Sequence, residues 1–169
     1  MNEHLKAMID DKTFNEKIEE IKETHISYIF LTKNFAYKIK KDIMFPFLDY
    51  STLEKREFYC KEEFRINKLL CPDMYLRVSA MIKEGSGLIL SDTGLPLDYT
   101  IVMKRMPEKY IMRALIEKNK IKEEILEEIA LKILLFHKRA RVDYNGKYGS
   151  LANVKKNVMD NFKDLECFI

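Results

Sequence analysis

The sequence predicts an α+β fold, with a two-layer lobe of antiparallel strands and a long helix over residues 1–106 and the first helices of a helical lobe over residues 107–169. Three observations predict it. Apolar spacing changes along the chain between the helical and the strand period, in the order helix, two strands, helix, three strands, three helices. Turn-forming clusters sit between the strand-like runs, and after Pro107 only helical spacing remains. At 169 residues with 47% hydrophobic content, the chain can bury a core of useful size and is far too apolar to be disordered.

Residues 2–23 carry Leu5, Met8, Ile9, Phe14, Ile18 and Ile21 near helical spacing, which predicts an amphipathic helix with a break near Thr13. Residues 26–32 and 35–41 are β-rich and joined by Lys33-Asn34, which predicts a tight hairpin. Phe45-Pro46-Phe47 interrupts regular structure over residues 42–50. Ser51-Thr52-Leu53-Glu54 then has capping-box spacing and opens a helix that runs to Leu70. Leu53, Phe58, Phe64, Ile66, Leu69 and Leu70 are its expected buried face, and Cys71-Pro72-Asp73 is its stop. Residues 74–83, 88–90 and 99–104 alternate as strands between Glu84-Gly85-Ser86-Gly87 and Ser91-Asp92-Thr93-Gly94, which predicts an antiparallel meander. Helical patterns follow at 108–117, 121–141 and 151–168, with Asp143-Tyr144-Asn145-Gly146 read as a turn.

Composition excludes several functions. Thirty basic against 27 acidic residues give +3 spread along the chain, so no nucleic-acid partner is expected. Cys60, Cys71 and Cys167 form no CxxC pair, and His4, His25 and His137 lie far apart, so no zinc site is expected. No run approaches the roughly 18 apolar residues of a membrane span, and the charged start MNEHLKAMIDDK lacks a signal-peptide core. The expectation is a cytoplasmic protein with reduced cysteines and no membrane partner. The first glycine is Gly85, so no glycine-rich phosphate loop precedes it.

Phe35-Ala36-Tyr37-Lys38 has the shape of the kinase V-A-I-K strand, lying after a hairpin partner and before a helix bearing Glu62 and Glu63. Val102-Met103-Lys104-Arg105-Met106-Pro107 follows as a hinge would. Together with Glu23-Thr24-His25-Ile26-Ser27, Ile39-Lys40-Lys41, Phe47-Leu48-Asp49, Ser51-Thr52-Leu53-Glu54-Lys55-Arg56 and Phe136-His137, these segments make residues 15–169 resemble one bacterial group. It is the aminoglycoside-phosphotransferase-like domain, of protein-kinase-like fold, often followed by a P-loop ATPase domain. The resemblance implies a kinase-like N-lobe over residues 1–106, a partial C-lobe over 107–169, and the use of ATP and Mg2+ to phosphorylate a small molecule. The family's His-Gly-Asp-x-His-x-x-Asn catalytic loop and its later magnesium-holding Asp have no counterpart in the sequence. The expectation is therefore the ATP-binding part of such a kinase, inactive alone and partnered by nucleotide and by a second polypeptide or a C-terminal half. The alternative is a non-catalytic kinase-like binding or regulatory module, or a truncated remnant.

Phosphoryl transfer rests on positioning and charge neutralisation, so a lysine on the phosphates held by a helix glutamate is its central requirement. Lys38 is the candidate, against the plainer reading of Lys33, Lys38, Lys40 and Lys41 as solvated positions of an edge hairpin. Strand alternation sets Ala36, Lys38 and Lys40 on one face and Tyr37, Ile39 and Lys41 on the other. Counting back one turn from Ile66 favours Glu62 over Glu63 as the partner of Lys38, with both in reach. The resemblance implies further contacts: Ser27 to a phosphate, Ala36 to the adenine pocket, and Met103, Arg105 and Met106 in the hinge that reads the adenine edge. His25 reads as a structural turn residue, and Cys60 and Cys71 as inert packing residues.

Overall fold

The computed structural model describes residues 3–142, 144–146 and 149–166, which form two compact units, Met1–Glu128 and Ile129–Ile169. Residues 3–23 do not form one broken helix. They form α1 (Glu3–Lys6), α2 (Asp11–Phe14) and a strand, β1 (Glu20–Glu23). Asp10 caps α2, its carboxylate accepting from the Lys12 and Thr13 amides while Thr13 Oγ1 accepts from the Asp10 amide. Asn15 ends α2 in the left-handed region at φ 54°. The Glu19 amide then donates 2.8 Å to the Leu31 carbonyl and the chain enters the sheet. The apolar residues of this segment still find a partner, because Leu5, Met8, Ile9, Phe14 and Ile18 all pack on the sheet core.

β2 (Ser27–Leu31) and β3 (Phe35–Lys40) form the expected hairpin. The segment after them holds a small hairpin of its own, β4 (Met44–Phe45) with β5 (Leu48–Asp49), where only irregular structure is expected. α3 (Leu53–Leu70) follows, then β6 (Tyr75–Glu84), β7 (Gly87–Ser91) and β8 (Pro96–Lys104). Gly85, at φ 59°, makes the tight β6–β7 turn that an L side chain resists.

Sheet order is β1-β2-β3-β8-β6-β7, antiparallel throughout. The last three strands are therefore not a meander. β8 carries Thr100, Ile101 and Val102, all buried, and takes the central place between β3 and β6, leaving the short β7 at the edge. One sheet face holds the apolar core of Phe14, Tyr28, Phe30, Tyr37, Ile39, Met81, Leu88 and Val102. Phe14 stacks on Tyr37 with ring centroids 4.0 Å apart.

α3 corrects two expectations. Its cap is Thr52, whose hydroxyl accepts from the Lys55 amide at 3.3 Å, while Ser51 bonds to the Asp49 carboxylate instead of opening a capping box with Glu54. Only half of its expected apolar face turns inward, since Leu53, Phe64 and Leu70 are half-buried while Phe58, Ile66 and Leu69 are 58%, 41% and 65% exposed, and the fully buried residues are Arg56 and Cys60. Past the sheet come a 3-10 turn (Glu108–Tyr110), α4 (Met112–Glu117) and α5 (Glu123–Arg139), with the unit boundary falling inside α5. The second unit continues with α6 (Leu151–Glu166). The predicted turn at Asp143 and the end of the last predicted helix, at Cys167 and Phe168, lie outside the described residues. Among the described residues no helix is long and apolar enough to cross a membrane.

Candidate functional site

β3 lies inside the sheet, paired to β2 on one side and β8 on the other, so its lysines are not those of an edge hairpin. Lys38 is opposite Ile29 and Ile101, and Ser27 is opposite Lys40. Tyr37 and Ile39 turn into the apolar core, which sends Ala36, Lys38 and Lys40 to the other face. There α3 presents Arg56, Cys60 and Glu63 at helical spacing i, i+4 and i+7.

The lysines meet one carboxylate. Lys38 Nζ lies 2.7 Å from Glu63 Oε1, and Lys40 Nζ lies 2.7 Å from Oε2. The Lys38 side chain is 25% exposed, that of Lys40 only 2% and that of Glu63 18%. Lys40 also donates to the Tyr50 hydroxyl at 3.3 Å and sits 4.6 Å from the centre of that ring. Burial alone pushes the Lys40 ammonium down, but the hydrogen bond and charge of Glu63 reverse this and leave its pKa above the usual lysine value. Burial likewise pushes the Glu63 carboxyl up, and the bonds from Lys38 and Lys40 outweigh it, so its pKa stands below the usual range. One carboxylate thus divides its two oxygens between two ammonium groups, of which Lys38 is the partly exposed one.

Glu62 is not the partner of Lys38. It is half-buried and bonded to Arg65, Nη2 to Oε2 at 2.8 Å. One residue rotates about 100° around a helix, and the count back from Ile66 chose a side chain that bonds along the helix to Arg65 and not to the sheet. Ser27 is buried at the first position of β2, and residues 24–26 form the β1–β2 connection. The Ser27 carbonyl accepts from the Thr24 amide and hydroxyl, whereas its own Oγ is buried with no hydrogen-bond partner among the described residues. His25 is exposed in this turn.

Ala36 is buried opposite Leu31 and Met103, which sets Ala36 and Met103 on the Lys38 face. Arg105 is committed elsewhere. Its guanidinium bonds the Glu19 carboxylate and, at 2.7 Å, the Thr32 carbonyl, and its amide donates 2.9 Å to the Asn34 carbonyl. These bonds tie the strand end to the β2–β3 turn. Met106 lies beyond β8 and is exposed. Cys60, with its thiol pushed up to about 12 by burial, is an inert residue. The site thus brings together Lys38, Ala36 and Met103 on one face and Ser27 along the same register, without Glu62, Arg105 or Met106.

Sequence reasoning held Glu63 as the second choice for Lys38 and missed its sharing with Lys40, Tyr50 as the further partner of Lys40, and the Arg56–Asp98 pair. The available signal was the spacing of Arg56, Cys60 and Glu63, which a search for apolar positions passes over.

No known protein family and no solved structure matches the chain. Uncharacterized proteins of two Mycobacterium tuberculosis strains and of Mycobacterium bovis are each 28% identical to it over 142 residues. The match covers 82% of this chain and 27% of each relative, so the chain spans about a quarter of the length of the curated relatives it matches.

Proposed function

We propose that residues 1–106 are the nucleotide-binding, kinase-like N-lobe of an aminoglycoside-phosphotransferase-like domain, and that Lys38 neutralises phosphate charge of ATP. The observation that carries this reading is the 2.7 Å pair between Lys38 on the third strand and Glu63 on the helix that follows it. A lysine on the third strand, ion-paired to a glutamate of the next helix, is the arrangement protein kinases use to hold ATP phosphates. The β1–β2 connection supports the reading as well, since kinases cover the phosphates with a loop and the orphaned Ser27 hydroxyl lies at the end of this one. The partly exposed ammonium of Lys38 suits an anion, and Ala36 with Met103 offers an apolar patch beside it for a base.

Bound there, ATP would supply the transferable phosphoryl group, while the chain's own residues bind and orient it. Among the described residues no three His, Cys, Asp or Glu side chains gather into a metal site, so no magnesium ligand is assigned to this chain. The 169-residue sequence contains no His-Gly-Asp segment, and transfer to an acceptor by these residues alone is not part of the proposal. The test is thermal unfolding with and without Mg-ATP. A ligand that binds only the folded state stabilises it by about 2.7 kcal/mol at a concentration of 100 Kd. The midpoint is expected to rise in the wild type and not in Lys38→Met, and no rise at millimolar Mg-ATP overturns the reading.

A second reading is a non-catalytic module that works through protein contact, and the outward Phe58, Ile66 and Leu69 of α3 favour it. It predicts an unchanged midpoint in Mg-ATP and a bound polypeptide lost on Phe58→Glu.

A further inference from the structure

The Lys38–Glu63 contact is more than a single ion pair, because the carboxylate is held from a second side. Lys40, almost wholly buried, takes Oε2 and is itself fixed by the hydroxyl and ring of Tyr50. Seven residues earlier on the same face of α3, Arg56 Nε reaches Asp98 Oδ1 at 3.0 Å and Oδ2 at 3.2 Å. Its Nη1 donates 3.0 Å to the carbonyl of Tyr50. Tyr50 therefore joins the two contacts, its backbone serving Arg56 and its side chain serving Lys40. α3 is held to the sheet at two points two turns apart, and neither uses Lys38. Cys60, fully buried between them, fills the space with a small side chain.

We propose that Lys40 and Arg56 are positioning residues that keep α3 docked independently of Lys38, so that Glu63 stays fixed as the anchor of Lys38 while the Lys38 ammonium reaches a phosphate. The inference rests on the reading of Lys38 as the phosphate-neutralising group. The physical reason is the cost of a buried charge left alone. With one lysine, departure of that lysine would strand the carboxylate, and the helix would have to lift to hydrate it. With two, Oε2 stays satisfied by Lys40, and the lysine at the partly exposed end can divide its three donors between Oε1 and a phosphate.

The experiment follows amide hydrogen exchange along α3 of the whole chain, together with the Mg-ATP thermal shift, in the wild type, Lys38→Met, Lys40→Met and Lys40→Arg. Lys38→Met is expected to keep the wild-type protection of α3 while losing the Mg-ATP shift. Lys40→Met is expected to lose at least about tenfold of that protection, with β2 and β3 unaffected and with Lys40→Arg restoring it. Exposure of α3 in Lys38→Met equal to that in Lys40→Met overturns the proposal, as does full protection in Lys40→Met. Should Lys40→Met not fold, Lys38→Met decides alone, since retained protection of α3 supports the proposal and its loss overturns it. Absence of a Mg-ATP shift in the wild type removes the nucleotide reading, while the exchange profiles still decide whether α3 is clasped without Lys38.

Discussion

The two faces of the sheet are held by different physics. On one, Phe14, Phe30, Tyr37, Ile39 and Val102 pack side chain against side chain with no charge among them. On the other, α3 meets the sheet through Arg56, Cys60 and Glu63, two ion-paired groups and one small thiol. The apolar face tolerates volume error poorly but needs no partner chemistry. The ionic face contributes less net stability, because desolvation offsets much of the attraction, yet each group fixes the position of another. The contrast separates the part of the lobe that makes it fold from the part that gives it a charged, oriented surface.

The largest effect should fall on the apolar face. Phe30→Ala is expected to cost about 3–5 kcal/mol, read from the urea midpoint at unchanged slope, and a cost under about 1 kcal/mol would break the comparison by showing that this face carries little of the core. Asp98→Ala should cost about 3 kcal/mol by removing the buried carboxylate of Arg56 and leaving it the Tyr50 carbonyl and the more distant, exposed Asp42 at 3.9 Å, while the double variant Arg56→Met/Asp98→Leu should recover most of it. A double variant as unstable as the single one would mean that the pair adds net stability.

Acid sharpens the same contrast. Glu63 has a folded-state pKa below its unfolded value, so its contribution is complete above about pH 4.3 and is lost as pH falls through the folded value. Glu63→Gln should therefore flatten the acid limb of a stability–pH profile, which Phe30→Ala would merely displace. Lys40 has the opposite sign, with its contribution complete below about pH 10.4 and lost as pH rises through its raised folded value. The smallest effect is expected for Lys38→Met, about 1 kcal/mol or less in the absence of ligand, because the side chain is partly exposed and Lys40 stays on the carboxylate.

Much of the lobe was legible because most strands announce themselves by alternation, and β2, β3, β6, β7 and β8 all lie within a few residues of where the sequence sets them. The place of Lys38 followed from that alternation. What could not be read depended on contacts distant in sequence. β1 reads EIKE and becomes a strand because β2 offers it a ladder, against a local pattern that suits a helix. Glu62 and Glu63 differ by one step of rotation, which only the sheet resolves, and the resolving residues, Arg56 and Cys60, include a charge that apolar counting discards. Arg105 misled for a similar reason, since its partners Glu19 and Thr32 are more than 70 residues away.

β1 has one further consequence, for behaviour in concentrated solution. It is an outer strand of the sheet, with backbone groups available to a neighbouring polypeptide, and such margins are where sheets polymerise. Its four residues are Glu20, Ile21, Lys22 and Glu23. A copy that added itself antiparallel about the centre of this strand would set Glu20 directly across from Glu23 twice, and would match Ile21 with Lys22. The same short, charged run that disguised the strand thus makes this margin a poor template for fibre growth.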